Sequence, residues 1–204
     1  GGYYNLASGF ESTVAGGEAN LASGTASFIG GGVTNIASGF EAVVGGGELN
    51  DATGAITFVG GGYFNAASAY GAVVGGGYAN GAVGTNSIVA GGEQNLASNS
   101  VSTVSGGYFN GATGQGATVP GGWANLASGS NSFAAGFVAN AGHNGAFVWS
   151  DSSSTTQFDS SAANQFNVRA AGGTRIFSTS SGASGAGVTL AASGSSWQSV
   201  SDRN

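Results

Sequence analysis

The sequence predicts an all-β fold: a parallel β-solenoid of 15-residue coils, followed by a C-terminal β-hairpin stem. Three features predict it. Asn recurs every 15 residues over most of the chain, 42 of the 204 residues are Gly against a single Pro, and paired apolar residues fall at fixed places in each repeat. Helices are disfavoured, because Gly is the poorest helix former after Pro and no stretch has apolar residues at helical spacing. Collagen would need Gly at every third position and abundant Pro. Disorder is disfavoured too, since 41% of the residues are hydrophobic, only 6% are charged, and the apolar ones stay in register.

The repeat reads G-G-x-x-N-L-A-S-G-x-x-S-x-V-x, and such a short unit cannot close its own core, so it must stack on copies of itself. The Gly-Gly at its start and the Ser-Gly in its middle are expected to supply the positive φ of two corners. Between them lie two short strands of the Leu-Ala and Thr-Val type. Equivalent residues then stack about 4.8 Å apart, and ten coils make a rod roughly 45 Å long.

The Asn column comprises Asn5, Asn20, Asn35, Asn50, Asn65, Asn80, Asn95, Asn110, Asn125 and Asn140. Its expected role is structural: each amide can bond its neighbour and satisfy corner backbone groups that leave the ladder. No Asn-x-Ser/Thr occurs, so none is a glycosylation acceptor.

A 30-residue period underlies the 15-residue one. Phe10 and Phe40 recur in alternate coils, while Phe28 and Phe58 stand three positions later in the coils between, so large stacks on small. Glu11 and Glu41, and Glu18 and Glu48, are likewise two coils apart, which avoids direct stacking of like charge. Both members of strand pairs such as Phe28-Ile29, Val43-Val44 and Phe58-Val59 are apolar. One fills the coil; the other forms an outward apolar stripe that predicts self-association, a threefold bundle being the simplest closed arrangement.

Past Asn140 the pattern changes. Residues 1–142 read as the solenoid, 143–164 as a cap and linker containing Phe147-Val148-Trp149, and 165–204 as a hairpin stem. In that stem Gln165 to Ala170 is expected to pair with Thr174 to Ser178 across Ala171-Gly172-Gly173, with Gly187 to Leu190 as a third strand.

Enzyme chemistry is not expected. His143 is the single His and sits in Gly142-His143-Asn144-Gly145 with no partner motif, and the nine acidic residues lack metal-loop spacing. Neither metal nor cofactor is expected. With Arg169, Arg175 and Arg203 as the only basic side chains and a net charge of −6, nucleic acid is disfavoured. Membrane insertion is disfavoured by the lack of any long apolar run, and the absence of Cys rules out disulfides. The start inside a repeat, without Met, reads as a segment of a longer protein.

The candidates for recognition are aromatic residues just before the Asn: Tyr3-Tyr4, Tyr63-Phe64, Tyr78, Tyr108-Phe109 and Trp123. Exposed along a rod they would stack on sugar rings; the alternative is that they pack between subunits.

The elements Asn-x-Ala-Ser-Gly and Ser-x-Val-x-Gly-Gly over residues 1 to about 140 resemble the head repeats of trimeric autotransporter adhesins. The tail, from Phe147-Val148-Trp149 through Phe166-Asn167-Val168-Arg169-Ala170 to Ser199-Val200-Ser201-Asp202-Arg203-Asn204, resembles the stem before the self-cleaving chaperone of phage tail fibres and endosialidase-type tailspikes. The resemblance implies a left-handed β-roll homotrimer in an extracellular or virion-surface fibre, with Val200-Ser201 as the processing junction. Since the chain has no Lys to act as dyad partner and stops at Asn204, no cleavage activity is expected. A structural or adhesive role in attachment to a cell-surface glycan or protein receptor follows. The alternatives are an ice-binding solenoid, against which the missing Thr-x-Thr rows argue, and a purely structural bacterial filament.

Overall fold

A computed structural model describes residues 1–177 and 187–200; Ser201, and with it half of the expected processing junction, lies outside the described residues. Two parallel sheets run along the rod. One begins at Leu6–Ala7 and ends at Phe158–Asp159, and the other begins at Thr13–Val14 and ends at Phe166–Arg169. Each coil contributes one short strand to each sheet and pairs with the coil 15 residues on, as in Leu6↔Leu21 and Thr13↔Phe28. A third column of single parallel bridges runs from Tyr3↔Glu18 to Tyr108↔Trp123 at the Gly-Gly corner.

The inside of the coil is narrow. The second residue of each strand points inward, so a column of Ala from Ala22 to Ala127 faces a column from Ile29 through Val44 to Val119, all fully buried. Complete burial of a Val contributes about 1.5–3 kcal/mol, so this column supplies much of the hydrophobic stabilisation. Aromatic rings stay out of the 15-residue coils: among the described residues none is fully buried, and Phe158 packs against the core, over Ala139, only where its sheet ends.

The Gly-Gly corner forms as expected, its second Gly having φ between 83° and 103° from Gly2 to Gly122. The Ser-Gly corner differs. Its positive φ falls two residues beyond the Gly, at Glu11, Ala26, Glu41 and Ile56 (φ 52–58°). Gly is needed there for close approach, because a Cβ on Gly39 would sit 1.9 Å from Gly54 O. Non-Gly residues in the left-handed region also precede each Asn of the column from Asn5 to Asn125, as at Thr34 and Phe64. Coil-to-coil hydrogen bonds offset that cost: Thr34 N–H donates to Glu18 O and Ala26 N–H to Phe10 O.

The ladders do not stop at 142. The coil after Ala127 is one residue shorter, pairing Ala127 with Ala141 and Phe133 with Phe147, and the next is longer, pairing Phe147 with Phe166. Val148 continues the Val column and is fully buried, so the expected cap at 143–164 is part of the stack, which runs through Arg169. The hairpin pairing also needs correction. Phe166–Arg169 lies in the parallel sheet, where Phe166 stacks on Phe147 at 4.7 Å and Asn167 covers Val148. A C-terminal antiparallel sheet does form, from Gly173–Phe177, Gly187–Ala191 and Gln198–Val200.

Candidate functional site

The Asn column lies inside the coil beside the Gly-Gly corner, and Asn20 to Asn125 are buried. Each amide has one job on each side. In Asn65, Nδ2 donates to Gly61 O (2.9 Å), Gly77 O (2.8 Å) and Asn50 Oδ1 (3.1 Å), while Oδ1 accepts from Asn80 N (3.0 Å). Amide-to-amide bonds of 3.0–3.2 Å link Asn5 through Asn80 and again Asn95 through Asn125. Every donor faces a carbonyl or amide oxygen, which leaves these side chains nothing to offer a ligand.

Asn140 does not join the column. In the 14-residue coil Asn125 Oδ1 accepts from Ala139 N instead, and Asn140 pairs with Leu126 on the outer face, donating to Asp159 Oδ1 at 2.6 Å. One residue is missing from the coil, so the column position that the 15-residue count gives to Asn140 is taken by Ala139.

The aromatic candidates fall into separate groups along the bridge column. Tyr3 and Tyr4 lie at the first coil. Tyr63 and Tyr78 stack nearly parallel (5.6 Å, 7°), with Phe64 6.4 Å from Tyr63. Glu93 follows, bridging Tyr78 and Tyr108. Beyond it Tyr108 tilts by 57° against Trp123 at 4.9 Å and stands 6.0 Å from Phe109. Trp123 in turn tilts by 46° against Phe137 at 6.2 Å. A groove of about 610 Å³ runs along this last group, between Tyr108, Trp123, Phe137 and Trp149. Phe109 faces a second groove of about 470 Å³, where Gly111 opens a gap between Leu96 and Leu126.

Phe137 and Trp149 were not among the aromatics singled out from the sequence. Phe137 pairs with Trp123, so it continues the same column, but the shortened coil shifts it off the 15-residue grid. Trp149 sits one step outward from the buried Val148.

Asp151 lines the groove without offering a free carboxylate. Oδ1 accepts from Ser153 Oγ at 2.6 Å, Oδ2 accepts from Ala171 N at 2.5 Å, and Arg169 Nε lies 3.7 Å from Oδ1. The Ser153 hydroxyl, then the Ala171 amide, hold this carboxyl below the usual Asp range. Arg169 is occupied too, donating to Thr156 O, Ser150 Oγ and Ser154 O.

On the Leu-Ala sheet, Asp51 interrupts an outward apolar column between Ile36 and Ala66. Its Oδ1 has no hydrogen-bond partner, and burial pushes its carboxyl above the usual range. His143 is exposed, with Nδ1 2.9 Å from Ser160 Oγ. Among the described residues no three His, Asp or Glu side chains gather as a metal site would require. No protein-family model matches the chain, and no curated protein matches it.

Proposed function

We propose that this chain is a structural and adhesive segment of a homotrimeric fibre, of phage tail-fibre or surface-adhesin type, exposed outside the cell or on a virion. The coils are read as left-handed, as the resemblance to adhesin head repeats implies. It works by presenting surface along a rigid rod and not by catalysis.

The observation that supports this reading is the outward column of the Thr-Val sheet. From Thr13 through Phe28, Val43, Phe58, Val73, Ile88, Thr103, Thr118, Phe133 and Phe147 to Phe166 it contains no charged residue. Phe28, Phe58 and Ile88 remain 40–43% exposed in a single chain, and Phe10, Phe40 and Tyr70 stand in the neighbouring corner column, also exposed. An apolar strip of this length is more than a soluble monomer normally leaves open. Copies of a straight rod can cover it along their whole length, and a closed ring of three leaves no strip unpaired.

Light scattering at several concentrations tests the reading. A mass of three chains that persists on dilution is expected, falling to one chain in Phe28→Ser/Phe58→Ser with the β-sheet circular dichroism retained. A wild-type monomer at all concentrations would sink it.

A further inference from the structure

We propose that the last turns of the rod hold a binding site for a neutral oligosaccharide, in the groove between Tyr108, Trp123, Phe137 and Trp149. The proposal rests on the adhesive reading above and adds a place and a ligand class to it.

Local concentration is the first argument. The bridge column reads Tyr3, Glu18, Val33 and Glu48 in the early coils, then the pair Tyr63 and Tyr78 followed by Glu93, and a run of three rings in successive coils appears only at Tyr108, Trp123 and Phe137. A surface that packs against another copy along the whole rod would repeat with the coils. This one does not, and the Gly-Gly corner separates Tyr108, Trp123 and Phe137 from the apolar column assigned to self-association, with Trp149 alone standing on the strand of Phe147.

Ring geometry is the second. Tyr63 and Tyr78 cover each other's faces at 7°, whereas the tilts of 57° and 46° around Trp123 prevent its neighbours from stacking flat on it. Trp123 is 53% exposed and Trp149 37%. A pyranose presents a flat patch of C–H groups that stacks on such a face, and the indole N–H groups and the Tyr108 hydroxyl add hydrogen bonds. Coils rise about 4.8 Å each, close to the advance of one sugar along an extended β-linked chain, so successive rings can meet successive sugars. The floor stays open because Gly107 and Gly122 have no alternative: a Cβ on Gly122 would stand 2.1 Å from Gly136 O.

Charge selects the ligand. Between Asp51 and Asp151 the only acidic or basic side chain, His143 aside, is Glu93. Asp151 is held by Ser153, Ala171 and Arg169, and Arg169 by the loop carbonyls, so among the described residues the groove offers no free cation to a sulfate, carboxylate or phosphate. Stacking and neutral hydrogen bonds remain, which fits an uncharged glycan.

Tryptophan fluorescence in a Trp197→Phe background, where only Trp123 and Trp149 report, tests the site. The probes are cellohexaose and chitohexaose, with polygalacturonate as the acidic comparison, and light scattering is run on every sample. At least one neutral chain should give a saturable change that Trp123→Ala weakens by about tenfold or more and Tyr63→Ala leaves intact. The mass should stay the same throughout. No saturable change with either neutral chain, tighter binding of polygalacturonate, or an equal loss in Tyr63→Ala would overturn the proposal. So would a drop in mass in Trp123→Ala, which would make the rings an interface. A monomeric wild type that still binds sugar would overturn the trimer and leave this site standing.

Discussion

Replacing Asn65 by Ala removes both ends of one rung in the interior column. Asn80 N–H and Gly61 O lose the only partner each has among the described residues, while Gly77 O keeps Tyr63 N and Asn50 Oδ1 keeps the Asn65 backbone N. Asn80 is buried, so its N–H cannot turn to water. At about 1–3 kcal/mol for each unsatisfied buried group, two groups would give roughly 2–6 kcal/mol, and the lower half of that range applies because Gly61 is only half-buried, with a small cavity term in addition. Because each coil touches only its neighbours, the loss should stay local, and a single global unfolding energy would misrepresent it. Amide hydrogen exchange is therefore the right assay. Exchange at Asn80 and in the strands at Ala66–Ala67 and Gly81–Ala82 should accelerate by about 30-fold or more, while coils beyond Thr103 keep their protection. Acceleration below about threefold at Asn80 would mean that the column is a bystander and that backbone pairing alone holds the corner.

Three further outcomes follow from the same structure. Asp51 has a raised folded pKa, so its ionisation costs stability: the penalty is absent below the ordinary Asp range near 4 and grows as pH rises through the raised value. Asp51→Ala should therefore stabilise the chain at pH 7, by less than about 1 kcal/mol because the group is partly solvated, and the gain should vanish at pH 3 in chemical denaturation. Arg169→Ala frees the loop from Asp151 to Gln157, which Arg169 fastens through Thr156 O, Ser150 Oγ and Ser154 O; subtilisin should then cut within that loop, and an unchanged digestion pattern would contradict the clamp. Gly62→Ala meets both a φ of 88° and a Cβ 2.2 Å from Gly77 O, so it should disrupt its coil more than Asn65→Ala, as read by exchange at Val59 and Val74.

The stack was legible because a 15-residue unit leaves few ways to bury an apolar pair. Leu21-Ala22 and Phe28-Ile29 each announce one residue in and one out, and the alternation of Phe28 with Val43 and Phe58 is that of the observed ladder. The end of the stack was not legible. Deleting one residue shifts every later column, yet Asn140 still falls on the old count, so the spacing is kept in the sequence at the point where the register has moved. The same shift hid Phe137, which belongs to the aromatic column by pairing and not by spacing. Composition also misplaced the positive φ of the second corner. Gly39 is there because Gly54 O comes too near, and Glu41 takes the left-handed turn because its N–H finds Thr25 O in the coil before it.

Interior and exterior of this rod are therefore decided separately. The second Gly, the Asn, the Ala and the Val or Ile of each coil are fixed by close approach, by the amide column and by a core too narrow for a ring. The outward residues carry no such duty, so differences among coils there reflect what the surface does. Along the bridge column Tyr3, Glu18, Val33, Glu48, Tyr63, Tyr78 and Glu93 mix rings with charges, and the last coils place Tyr108, Trp123 and Phe137 in succession. Along the Thr-Val face, in contrast, every coil stays uncharged from end to end. A face constant over the whole length suits contact with a parallel copy of the same rod. A column that gathers three successive rings only in its last coils suits a ligand met at one end only. The two surfaces thus require different partners, and a substitution that separates self-association from sugar binding should exist on each: Phe58→Ser for the first and Trp123→Ala for the second.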